Sequence, residues 1–213
     1  VAGNSATSNT DTFSTDNTDP SAAITSDIVW SNDGTATVTF TASDATSGIA
    51  SCTLTLSHAT EADQTDTSCA NGNGQATFNV ADGTDYTASI AIADTAGNTG
   101  SSNTDTFSAD NTNPVASIDT QPADNNNNND DATFTFSGTD DNSGVASFEC
   151  NFDSAGYTAC ASGDDIGDDL TDGTPSLDVR AIDTAGNTGS AASYSWLVDT
   201  TAPAAAVTST FAW

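Results

Sequence analysis

The phrase STDNTDP at residues 14–20 returns as SADNTNP at 108–114 and, in looser form, as LVDTTAP at 197–203. Its flanks repeat as well. VAGN at 1–4 matches TAGN at 95–98 and 184–187, and NTDTF at 9–13 recurs at 103–107. A period of about 90 residues means that the chain is an array of one supersecondary unit, each copy long enough to enclose its own core.

The segments inside each copy are short and alternate with period two, and helical periodicity is absent. In TATVTFTAS (35–43), Ala36, Val38, Phe40 and Ala42 share a face; in YTASIAIAD (86–94), Tyr86, Ala88, Ile90 and Ile92 do. The second copy has ATFTFSG (132–138) and SLDVRAID (176–183), where Leu177, Val179 and Ala181 point inward and Arg180 points to solvent. Short strands with turn residues between them, at this repeat length, predict an all-β chain of tandem immunoglobulin-like β-sandwich domains. The expected division is residues 1–18 as the closing strand of a preceding domain, 19–112 and 113–201 as full domains, and 202–213 as the first strand of a following one. In strand order, Pro20 and Pro114 open strand A and strand C begins after Gly48 or Gly144. Strand F ends at Asp94 or Asp183.

Thirty acidic residues against one basic residue, Arg180, give a formal charge of −29. Such a surface repels nucleic acid and anionic lipid at long range. The acids alternate with apolar residues in strand-like runs, so the charge belongs to a folded chain and not to a disordered tail. No apolar run is long enough to span a membrane, and the start is neither a signal peptide nor a Met, so the chain reads as a piece of something longer. Cys52 with Cys69 and Cys150 with Cys160 fall two to a copy, without CxxC spacing and with His58 as the one histidine. Intradomain disulfides in an oxidising, extracellular compartment fit this better than zinc; buried free thiols are the alternative.

In such a sandwich the linker before strand A, the B–C turn and the F–G turn meet at one pole. All three are acidic in both copies. The first carries Asp16 and Asp19, Asp44 in SDATSG and Asp94 in DTAGN; the second carries Asp110 with Asn111, Asp140 and Asp141 in TDDNSG, and Asp183 in DTAGN. The last linker retains Asp199, and Asn113 stands where the other copy has Asp19. Close carboxylates repel, and one arginine in mid-strand cannot neutralise them. Oxygen donors without His or Cys select Ca2+, which accepts six to eight oxygens in irregular loops. Asp, Asn and Gly are also ordinary turn residues, which explains any one of these positions but not the convergence of three segments. The run DNNNNNDD (124–131) reads as a solvated loop.

The DTAGNTG turn, the DTTAP linker, SGVASFEC and the cysteine of YTAC resemble the bacterial Ig-like repeats of large secreted adhesins and cell-surface fibres. That resemblance implies calcium held at domain junctions by the linker, D-x-x-SG and DxAGN aspartates, and a stalk stiffened by it. The expected function is a structural segment of an extracellular fibre or adhesin stalk, its partners being head-to-tail copies of itself, with strand complementation between 1–18 and 202–213, and a host or glycan surface at a distal tip. A glycan- or receptor-binding module and an accessory domain of a secreted enzyme are the alternatives. Catalysis itself is not expected: there is no nucleophile motif, and His58 lies alone in a polar loop. Trp30, Trp196 and Trp213 read as core or edge packing and not as sugar platforms.

Overall fold

The computed structural model describes residues 3, 11, 13–68, 72–122, 126–127, 132–166 and 170–206. The chain divides into two compact units, Val1–Ala109 and Asp110–Trp213. Every regular element among the described residues is a strand.

In the first unit, β1 (Ser21–Ile24), β3 (Thr35–Ser43) and β6 (Gly72–Asn79) form one sheet in the order β1-β3-β6. The second sheet runs β2-β9-β7-β4-β5, from β2 (Trp30–Ser31), β9 (Asp105–Ala109), β7 (Gly83–Asp94), β4 (Ile49–Ser57) and β5 (Gln64–Asp66); β8 (Thr99–Ser101) also pairs with β7. The alternation read from the sequence is the burial observed. Ala36, Val38, Phe40 and Ala42 of β3 and Tyr86, Ala88, Ile90 and Ile92 of β7 are all buried, whereas the threonines between them are not. Burying each Val, Ile or Phe side chain among them contributes roughly 1.5–3 kcal/mol, so the two inner faces hold the sandwich together. At the start of β7, the Tyr86 hydroxyl donates toward Glu61 (3.0 Å) or the Ala81 carbonyl (3.1 Å) and accepts the Ala81 amide (3.1 Å). This tyrosine corner ties the turn before strand F to the strand itself.

In the second unit, β14 (Thr158–Cys160), β13 (Val145–Phe152), β15 (Ser176–Asp183) and β16 (Ala192–Ser195) form a sheet in the order β14-β13-β15-β16. That order repeats β5-β4-β7-β9 of the first unit. β10 (Val115–Thr120) pairs with β12 (Thr135–Thr139), and β11 (Asn126–Asn127) pairs in parallel with β17 (Val198–Asp199). Its core is Phe134, Phe136, Leu177, Val179 and Trp196, with Phe134 and Trp196 edge to face at 5.1 Å.

Several expectations need correction. Part of the DNNNNNDD run is strand, because Asn126 and Asn127 pair with Val198 and Asp199. Strand B of the second unit begins at Thr135, not at residue 132; Ala132 and Phe134 are buried ahead of it through a single bridge from Thr133 to Asp165. Arg180 faces outward but is half covered. It donates to Glu149 from Nε (2.8 Å) and Nη2 (2.6 Å), and its guanidinium lies 3.8 Å from the Tyr157 ring centre. Cys150 and Cys160 form the expected disulfide, with Cα atoms 5.8 Å apart, across the β13–β14 pair. Cys52 is also disulfide-bonded. Cys69 and Trp213 lie outside the described residues, as do most of 1–12 and all of 207–213.

Candidate metal centres

Both units start strand C and end strand F in the same way. Ile49 pairs with Asp94 and Val145 with Asp183, and a register shift follows at once, before Ser51 in one unit and before Ser147 in the other. The Thr95 amide donates to the Gly48 carbonyl and the Thr184 amide to the Gly144 carbonyl, each at 2.9 Å. Gly48 and Gly144 adopt φ of 78° and 76°, a left-handed geometry that explains the glycine of each SG pair. These contacts hold the B–C turn against the end of strand F, and with it two of the acidic segments.

The linker supplies the third. Asp16, Asp44 and Asp94 gather in the first unit and Asp110, Asp140 and Asp183 in the second, each trio offering carboxylate oxygens within 4.8 Å of one another. Asp44 Oδ1 accepts the amides of Thr46 (3.1 Å), Ser47 (2.8 Å) and Gly48 (2.6 Å). Asp94 Oδ1 accepts the amides of Gly97 (2.7 Å) and Asn98 (2.8 Å). Asp183 repeats this with Gly186 (2.7 Å) and Asn187 (2.8 Å). Asp140 Oδ2 accepts the amides of Asn142 (3.2 Å) and Gly144 (2.8 Å). Asp110, wholly buried at 0% exposure, accepts Thr112 N–H (3.0 Å) and Ser143 N–H (2.9 Å).

In the first unit such bonds favour the anionic form of Asp94 and Asp16. Burial pushes Asp94 up, but the side chain and amide of Asn98, the amide of Gly97 and the Ser47 hydroxyl outweigh it and hold the carboxyl below the ordinary value of 3.8. Asp16 is also lowered, chiefly by the Ser47 hydroxyl and the Thr18 amide, against the upward pull of burial and of Asp94. Ser47 has one hydroxyl proton to share among three carboxylates, 3.5 Å from Asp44 Oδ1. Three buried oxygens are left without a hydrogen-bond partner: Oδ2 of Asp16, Oδ2 of Asp44 and Oδ1 of Asp140. Such orphans are costly and rare. The chain has no lysine, and its one arginine, Arg180, is engaged by Glu149. An all-oxygen donor set with buried orphan lone pairs fits a hard divalent cation.

The other acidic candidates lie outside the trios. Asp19, Asp141 and Asp199 are exposed, and so is Asn111, and none of the four belongs to a trio. Two asparagines that the acidic pattern does not single out are integral. Asn98 Nδ2 donates to Asp94 Oδ2 (2.7 Å) and to the carbonyls of Asp16 (3.2 Å) and Thr18 (3.3 Å). Asn187 does the same toward Asp183 Oδ2 (2.7 Å), Asp110 O (2.8 Å) and Thr112 O (3.3 Å). Gly100 and Gly189, the last residues of the two NTG triplets, let the linker lie against them: a Cβ there would meet the carbonyl oxygen of Pro20 at 2.1 Å and of Pro114 at 2.0 Å. The signal was in the repeats, because DTAGNTG recurs whole and not only in its aspartate.

A two-sheet β-unit with the strand order β5-β4-β7-β9, repeated as β14-β13-β15-β16, a tyrosine corner in the first unit and an acidic pole defines an immunoglobulin-like module. Residues 2–111 match the family profile described as a bacterial Ig-like domain, and the chain belongs to that family. No curated protein matches it. No helix among the described residues is long and apolar enough to cross a membrane. The family and the disulfides both point to a cell-surface or extracellular setting.

Proposed function

We propose that this chain is a structural segment of an extracellular fibre or adhesin stalk, whose Ig-like domains are stiffened by Ca2+ bound at the two aspartate trios. The observation that carries this reading is the pair of matched trios with buried, unpartnered oxygens in a chain that has no lysine and whose one arginine is paired with Glu149. Asp16, Asp44 and Asp94, and Asp110, Asp140 and Asp183, would hold one ion each, and the ion would supply the positive charge the protein lacks. Asp110 lies in the linker entering its unit, so an ion held there would order that linker. The segment is read as non-catalytic, its partners being further copies of the module joined end to end.

Calcium titration by calorimetry tests this directly. Two ions per chain are expected, falling to one in Asp94→Asn and in Asp183→Asn and staying at two in Asp19→Asn and Asp141→Asn. Small-angle scattering should show a longer, stiffer particle in calcium than in EDTA. Absence of binding at millimolar calcium, the weak end for extracellular modules, would remove the reading.

A further inference from the structure

The outgoing linker of the second unit carries a feature that the trios do not use. Thr201 N–H donates to Asp199 Oδ1 at 3.0 Å, the same turn that Thr18 makes on Asp16 (2.9 Å) and Thr112 on Asp110 (3.0 Å). At Asp16 and Asp110 that turn sits within a carboxylate trio; at Asp199 it does not. A different residue holds it. Asp172, in the turn before β15, accepts Thr200 N–H (2.6 Å) and the Thr200 hydroxyl (2.7 Å) on Oδ1 and the Thr201 hydroxyl on Oδ2. Beside it, Gly173 and Val198 exchange amide-to-carbonyl bonds at 2.9 and 2.8 Å, so the turn is joined both to β17 and to the linker that follows it. All the donors to Asp172 are neutral hydroxyls and amides, and both of its oxygens are satisfied.

We propose that Asp172 is a positioning residue: a metal-independent latch that fixes the outgoing linker Asp199–Thr201 to its own unit and presets Asp199 in the turn used by the clustered linker aspartates. The entropy of ordering two residues is then met before any ion arrives. The sequence after the linker fits such a role, since PAAAVTSTFAW (203–213) repeats the frame of PSAAITSDIVW (20–30), the opening of the first unit. Presentation of Asp199 to the turn carboxylates of another such unit rests on the calcium reading; the latch does not.

Amide hydrogen exchange on the full chain tests it, in calcium and in EDTA. The Thr200 and Thr201 amides should be protected equally in both buffers. Asp172→Ala should speed their exchange tenfold or more while the Val179 amide of β15 keeps its protection, and Asp172→Asn, which keeps an acceptor for Thr200, should restore Thr200 in part. If Asp172→Ala loosens β15 as well, the double variant Thr200→Ala/Thr201→Val removes the two hydroxyl donors while keeping the residue 200 amide on Asp172, and should speed exchange at residue 201. Unchanged protection in the variants, or protection of the native linker only in calcium, would overturn the proposal. Failure of calcium to bind at the trios would leave these exchange results as they are.

Discussion

The side-chain amide of Asn187 lies 2.8 Å from the carbonyl oxygen of Asp110, its donor group shared with Oδ2 of Asp183 at 2.7 Å. One buried asparagine thereby bonds the incoming linker to the F–G turn, and Asn98 does so for Asp16 and Asp94. The acidic trios are assembled by neutral amides; the carboxylates alone would drive the three segments apart.

Removing that amide leaves buried acceptors without a donor. Asn187→Ala should destabilise the second unit by about 1–3 kcal/mol, and Asn187→Asp by more, since it adds a fourth carboxylate to the pole. Urea unfolding in EDTA measures both. Equal stability of Asn187→Asp and the native protein would show that the amide contributes nothing to the linker.

The linker also needs the bare backbone of Gly189. With a carbonyl oxygen 2.0 Å from where a Cβ would stand, Gly189→Ala must move the linker near Pro114, and Gly100→Ala the linker near Pro20. Each should cost about 1–3 kcal/mol, the range for overpacking, and weaken calcium binding in its own unit only. A calcium titration of Gly189→Ala that leaves both sites intact would contradict this placement.

The Cys150–Cys160 disulfide spans 10 residues, between β13 and β14. Closing so short a loop restricts the unfolded chain by an amount worth about 2–3 kcal/mol. Cys150→Ser with Cys160→Ser, or reduction, should lower the unfolding temperature of the second unit, measured by calorimetry. The proposed calcium affinity of the aspartate trio, formed from other segments, should be unchanged.

Acid should destabilise the first unit in a defined direction. Asp16 and Asp94 are held below the ordinary 3.8, so the stability they contribute is present above that value and is lost as pH falls through their lower folded values. In EDTA the urea midpoint should be level from pH 7 to about 5 and decline below about 4. A midpoint that rises on acidification would mean that repulsion within the trio outweighs its hydrogen bonds.

The alternation of β3 and β7, the strand C starts after Gly48 and Gly144 and the ends of strand F at Asp94 and Asp183 were readable in the sequence, because period-two burial and glycine turns are local properties of the chain. So were the three acidic segments of each copy, since their recurrence is written in the repeats. All six clustered aspartates were among the candidates read from those segments, but which of the remaining candidates fall outside the trios was not readable. Asp140 and Asp141 are adjacent, and only the turn's path, fixed by amides onto Asp140, sends one inward and leaves the other exposed. Asp199 repeats the turn of Asp110 but has Asp172 for a neighbour where Asp110 has two carboxylates, a difference made by residues far away in the chain. Sequence determined the strands and the supply of charge, whereas the orientation of each carboxylate depends on donors brought in from other segments, and only the packed sandwich decides which donors arrive.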